Sequence, residues 1–135
     1  MILVDTNILL DVTTGDSLWA EWSLQALEQE AVKGPLHINV IVYAELSSRY
    51  TSVEAVDSFV AQIGAQIIEI PRAAAFLAAK AFAHYRAAGG TRTGVLSDFF
   101  IGAHATALNI PVLTRDVRRY RSYFPNLRLV APHLN

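Results

Sequence analysis

The 135-residue chain carries 12 acidic and 11 basic side chains, a formal charge of −1 and no cysteine. This excludes a disulfide framework and a thiolate metal site, and it argues against wholesale coating of nucleic acid while leaving local patches open. Hydrophobic residues make up 53% and charged ones 17%, against about 25% charged in an average domain; this points either to apolar area facing a second copy or a tightly held partner, or equally to an ordinary Ala-rich core.

No apolar run reaches about 18 residues, and Asp5 interrupts the N-terminal one. Neither a membrane span nor a signal peptide is expected, and residues 1–135 are read as one domain of a cytoplasmic protein. Ile2–Val4 reads as a buried strand. Ser17–Lys33 is predicted helical, with Leu18, Trp22, Leu24, Leu27 and Ala31 on its apolar side and Gly34-Pro35 as its stop. Leu36–Val40 returns to strand character, and Ile41–Tyr50 and Val53–Ile63 read as helices, the second stopped by Gly64. Gln66–Ile70 is a strand ended by Pro71, and Ala73–Ala88 an Ala-rich helix closed by Gly89-Gly90. Thr91–Gly94 is a loop, Ser97 the N-cap of a helix through Leu108, Pro111–Thr114 a strand, Arg115–Tyr123 a short helix and Arg128–Ala131 a last strand.

Strands alternating with helices call for right-handed crossovers and a parallel sheet covered on both faces, an α/β architecture. Ligands of such sheets bind outside the carboxyl ends of the strands, where strand order reverses. Asp5 ends the first strand and therefore lies where a site forms.

Most of the twelve acids have an ordinary place. Glu21, Glu28, Glu30, Glu54 and Asp57 fall at solvent-facing helix spacing, Asp16 precedes a helix, Glu69 alternates outward, and Asp11 reads as a structural or capping acid. Four remain. Asp5 and Asp116 follow strand ends, Asp98 opens a helix, and Glu45 sits among apolar neighbours in IVYAEL. Caps, a helix-dipole position and a pair with Arg49 are the competing structural readings of these four. Brought together at one sheet end, four carboxylates repel one another unless a cation neutralises them. An all-oxygen set favours Mg²⁺ or Mn²⁺, one ion or two about 3.5–4 Å apart, and suits phosphoryl chemistry with a metal-activated water. Thr6, Asn7 and Thr114 flank the strand-end acids and are expected to orient ligands.

Four of the nine arginines, Arg115, Arg118, Arg119 and Arg121, fall in one short segment with Tyr120 and Tyr123 interleaved. Beside an acidic metal site they suit gripping a phosphate backbone and stacking an unpaired base; a solvated helix face is the alternative. Arg92, in the loop GGTRTG, is a further candidate RNA contact; no Lys-Ser/Thr follows those glycines, so the loop is not a nucleotide-binding P-loop. The four histidines are scattered, and His104 is read as structural. Trp19 and Trp22 read as core, or as a partner-binding stripe.

The segments MILVDTNILLD, IVYAEL, SDFFIGAHA and LTRDVRRYRSYFP…LRLVAP, in this order, resemble a PIN-domain nuclease, specifically the VapC toxins of bacterial type II toxin–antitoxin modules. The resemblance spans nearly the whole chain. It implies a three-layer α/β/α fold with a central, mostly parallel sheet and Mg²⁺- or Mn²⁺-dependent endoribonuclease activity. The family's acidic quartet carries over onto Asp5, Glu45, Asp98 and Asp116, and its neighbouring Asn and Thr onto Asn7 and Thr114. It also implies a homodimer and a VapB-like antitoxin whose C-terminal segment lies across the active-site groove. AELSSRY departs from the many members with a glycine soon after Glu-Leu, which bears on helix packing and not on the acid.

Two rivals remain. A haloacid-dehalogenase-like phosphatase also starts with an acid at the end of the first strand, but its second acid, a proton donor, is Asn7 here. A PIN-like scaffold that binds RNA or protein without cutting would not need all four acids.

Overall fold

Ile2–Val4 (β1) is buried at every position, as an apolar run must be in a parallel sheet with both faces covered. In the computed structural model, which describes residues 1–92 and 94–132, β1 is the centre of a five-stranded sheet. The other strands are Leu36–Ile38 (β2), Ala65–Ile67 (β3), Val112–Leu113 (β4) and Leu129–Val130 (β5), in the order β3-β2-β1-β4-β5. All four pairings are parallel, with Ile2 opposite Leu36 and Leu3 opposite Val112. The chain builds outward from β1 to β3 on one side and from β4 to β5 on the other, so strand order reverses between β1 and β4.

The helices are Thr6–Thr14 (α1), Ala20–Lys33 (α2), Val40–Ser47 (α3), Val53–Ile63 (α4), Arg72–Ala87 (α5), Leu96–Leu108 (α6) and Arg118–Tyr123 (α7). α1 packs against α2 and α3, and α6 against α5 and α7. The all-helical covering of a parallel sheet gives the expected three-layer α/β/α class. α7 comes down on α6 where Gly102 leaves room: a Cβ there would lie 2.5 Å from the Phe124 ring. Tyr123 packs edge-on against Phe99 with ring centres 5.1 Å apart.

Several boundaries move for local reasons. α1 is a helix that the strand-helix order derived from sequence omitted; its β-branched content obscures the pattern, and Gly15 at φ 63° closes it by accepting the left-handed conformation. α2 begins at Ala20, not Ser17, because the Asp16 carboxylate takes the N–H groups of Leu18 and Trp19, both at 2.9 Å, in a separate turn. Its inner face is Ser23, Ala26, Leu27 and Glu30; Leu18, Leu24 and Ala31 are exposed. Glu30 is thus buried, not solvent-facing, and is paired with Lys33 at 2.9 Å. β2 stops at Ile38 because Asn39 caps α3, accepting from Ile41 and Val42. β3 starts right after Gly64, earlier than Gln66. Ser97 is not the cap of α6; Val95 holds that position and no side chain caps it. The loop Thr91–Gly94 includes Thr93, which lies outside the described residues, as does His133.

His104 is buried on α6, with Nδ1 3.1 Å from the Asn39 side chain, linking α6 to the cap of α3. Burial, then the nearby His37, hold its pKa below the usual histidine value.

Candidate active site

The first turn after β1 supplies three polar side chains, and each reaches a different distant element. Asp5 occupies the N-cap position of α1 with extended backbone, yet its carboxylate caps nothing. It turns instead toward the β4 side, where the Thr114 hydroxyl and the Tyr120 hydroxyl each donate to Oδ2 at 2.8 Å. Asn7 Nδ2 approaches the same oxygen at 3.4 Å. Thr6 donates to Glu45 Oε1 at 2.6 Å, which ties α1 to α3. Asn7 also joins the strands' ends: Nδ2 lies 3.3 Å from Thr114 Oγ1, and Oδ1 accepts the backbone N–H of Arg115 at 3.3 Å.

Asp116 is held by its own backbone. Its N–H donates to Thr114 Oγ1 at 3.0 Å, and its carboxylate accepts the N–H of Arg118 at 3.2 Å. Asp98, in the first turn of α6, pairs with Arg119 of α7 at 2.5 Å.

The four acids share one electrostatic field. Burial pushes the pKa of Asp5 up to about 6; hydrogen bonds from Thr114 and Tyr120 oppose the rise, and the charge of Asp98 adds to it. Asp98 is raised in turn, first by burial and then, against the pull of Arg119, by Glu45 and Asp116. Asp5 is buried and Asp98 half-buried, while Glu45 and Asp116 are exposed. Glu45 is therefore more open to water than its apolar neighbours in sequence suggested, and its partner is Thr6 in place of Arg49.

Among the described residues, no three acidic or histidine side chains already form a closed metal cage. The donor set nevertheless fits a hard divalent cation. It is all oxygen, its members repel one another, and Mg²⁺ needs only one or two direct carboxylates, with water filling the rest of its shell. Asp5, Glu45, Asp98 and Asp116 are the residues that would hold it.

The arginines separate into two groups. Arg115 is engaged within the protein: its Nε and a terminal nitrogen grip both oxygens of Asp11 at 2.7 and 2.9 Å. Ser23 adds a 2.7 Å bond to Asp11, and the guanidinium lies 5.4 Å from the centre of the Trp19 ring. The expected backbone-gripping residue is a clamp between α1 and the loop after β4. Arg92, Arg118 and Arg119 instead line a cleft of about 330 Å³ with Asp116, Ser122 and Tyr123. Arg121 is exposed on α7 and is not part of that lining.

Tyr120 is the site residue that sequence reasoning misplaced. Read as a surface aromatic for a base, it is 2% exposed and points at Asp5. The signal was present: Tyr120, Tyr123 and Phe124 recur at the spacing of an inward helical stripe, with arginines between them.

The PIN domain family matches residues 2–124 of the chain. No curated protein matches it. Among solved structures, the chain is similar to one from VapBC2 of Rickettsia felis bound to a promoter DNA fragment (24% identity, TM-score 0.73, covering 98% of this chain and 100% of that one). It is also similar to one from VapBC-1 of nontypeable Haemophilus influenzae (17%, 0.72, 97% and 98%), and to one from a toxin–antitoxin complex of Klebsiella pneumoniae (24%, 0.69, 98% and 98%). At these identities the likeness is one of fold.

Proposed function

The chain belongs to the PIN domain family, and on that premise we propose that it is a VapC-like toxin, an endoribonuclease that hydrolyses RNA phosphodiester bonds with Mg²⁺ or Mn²⁺. The observation that carries this reading is Asp5. It is a buried carboxylate at the strand-order reversal, every side-chain partner it has is neutral, and the charge that acts on it is that of another acid, Asp98. A buried charge in that condition calls for an added cation.

Asp5, Glu45, Asp98 and Asp116 bind the ion or ions. A cation held there would supply charge neutralisation at the scissile phosphate, a lowered pKa for a water nucleophile and stabilisation of the leaving oxygen. Thr114 and Asn7 hold the Asp5 and Asp116 segments in register, and Thr6 aims Glu45. Arg92 and Arg118 receive the RNA backbone in the cleft beside Asp116, Arg119 lines the same cleft while paired with Asp98, and Arg121 extends the basic surface along α7. Tyr123, partly exposed in that cleft, offers a face for an unpaired base. A phosphatase that needs a second proton-donating acid is disfavoured, since Asn7 spends its side chain bridging Thr114 and Arg115.

A VapB-like antitoxin is the proposed protein partner; the solved structures with this fold include VapBC and toxin–antitoxin complexes. A homodimer is the proposed assembly, in line with exposed Val32, Ile67 and Phe76. A cytoplasmic setting is proposed with them; among the described residues no helix is long and apolar enough to cross a membrane.

The test is cleavage of a single-stranded RNA by wild type, Asp5→Asn and Asp98→Asn, with Mg²⁺ and with chelator. Metal-dependent cutting by wild type alone is expected. Variants that cut as well as wild type would reject the site.

A further inference from the structure

We propose that Tyr120 is a positioning residue for the acid site: its hydroxyl, with that of Thr114, occupies Asp5 Oδ2 and so presents Oδ1 as the oxygen offered to the cation. The inference rests on the metal-site reading above and assigns a residue that the acidic quartet does not include.

All three side-chain donors to Asp5 end on the same atom. Thr114 Oγ1 and Tyr120 Oη reach Oδ2 at 2.8 Å, and Asn7 Nδ2 at 3.4 Å. A carboxylate oxygen has two lone-pair sites, so two good donors fill it. Asp5, Thr114 and Tyr120 are 4%, 0% and 2% exposed; water does not compete for these bonds.

The hydroxyl is not explained by packing. α7 is already seated by Phe124 in the space left at Gly102 and by Tyr123 against Phe99. A phenylalanine ring would fill the same volume without burying a polar group, which is costly unless that group is bonded. The hydrogen bond that the Tyr120 hydroxyl makes is to Asp5, contributed from a residue 115 positions away. The terminal torsion of an aspartate is broad. Pinning one oxygen from two directions narrows it, which fixes where the other oxygen stands before any ligand arrives.

Tyr120→Phe removes that pin and keeps the ring. Its Mn²⁺ dissociation constant, measured by calorimetry, should rise about tenfold, the range for outer partners of metal ligands. The Mg²⁺ concentration giving half-maximal cleavage should rise in parallel, while the melting temperature in chelator stays near that of wild type. Thr114→Val should act on the same oxygen, so the double variant should lose less than the product of the two single losses. In wild type labelled at tyrosine Cζ, the Tyr120 carbon resonance should move on Mg²⁺ titration, and should not move in Asp5→Asn; this keeps the inference testable if Tyr120→Phe does not fold.

Tyr120→Phe that binds Mn²⁺ as tightly as wild type, or a Tyr120 resonance indifferent to Mg²⁺, overturns the role of Tyr120. If wild type itself binds no Mn²⁺, and Asp5→Asn behaves like it, the metal-site reading fails and takes this inference with it.

Discussion

Asp5 and Asp11 flank the same short stretch, both are buried, and both are held by residues more than a hundred positions further along. Their partners differ in kind. Asp11 meets a guanidinium with both oxygens and a serine besides, so its charge is cancelled inside the chain. The side chains that meet Asp5 are hydroxyls and an amide, and the charge that acts on it is that of Asp98. Of this pair, the carboxylate whose charge the fold cancels is structural. The one that the fold holds in place without neutralising is poised for something from outside.

The sharpest way to break this contrast is to neutralise each acid in turn. Asp5→Asn should lower Mg²⁺-dependent RNA cleavage by more than about 100-fold, since a direct ligand counts for more than the outer partners that cost 10–100-fold. Asp11→Asn, assayed where it is folded, should lose far less. Equal losses in initial rate would erase the distinction.

The next effect is on stability. The pKa of Asp5 is raised from 3.8 to about 6 in the folded protein, so the folded state holds this proton more tightly than the unfolded one. Stability from this group is full below about pH 4 and is lost as pH rises through 6, by about 3 kcal/mol for a shift of this size. The buried His104 has the opposite sign: its lowered pKa makes stability rise with pH through the range below 6.5. The difference between wild type and Asp5→Asn cancels the histidine. In chelator, that difference in unfolding free energy should fall between pH 4 and 6, and Mg²⁺ should restore it. A flat difference would mean that Asp5 carries no uncompensated charge.

Asp11→Asn should act chiefly on the fold. Arg115 is left without its carboxylate, its side chain 28% exposed, so the loss in urea unfolding should be about 2 kcal/mol, below that of a fully buried pair. The smallest effect separates the arginines. Arg118→Ala, in the cleft, should weaken RNA binding a few-fold and lower the salt slope by about 0.7, as for one phosphate contact to a single strand. Arg115→Ala should leave the salt slope unchanged and reduce stability.

The class of fold was legible because it depends on repeated, local signals: apolar strand runs, helix stops at Gly34-Pro35 and Gly64, and acids at strand ends. Asp5, Glu45, Asp98 and Asp116 could be named together from two strand ends, a helix start and an apolar run, and from the resemblance that gave the same four; the charges of Glu45 and Asp116 act on Asp98, and that of Asp98 on Asp5. What was not legible depended on direction. Arg115 adjoins Asp116 in sequence, but its side chain leaves the loop toward α1 and meets Asp11. Tyr120 stands among arginines, and only the rotation of α7 decides that it faces the core. Helix α1 was hidden because Val12, Thr13 and Thr14 weigh against a helix locally, whereas the burial of Ile8 and Leu9 holds it in place.

The acid site is closed by contacts that run the length of the chain: Asp5 is reached from positions 114 and 120. During synthesis at about 5–20 residues per second, the first strand waits on the order of ten seconds before the residues that hold its aspartate exist. The centre therefore cannot form before Thr114 and Tyr120 have been made, and a chain that ends before Thr114 lacks both of these partners of Asp5. On the nuclease reading proposed above, cleavage would have to wait until residues 114–120 have been made.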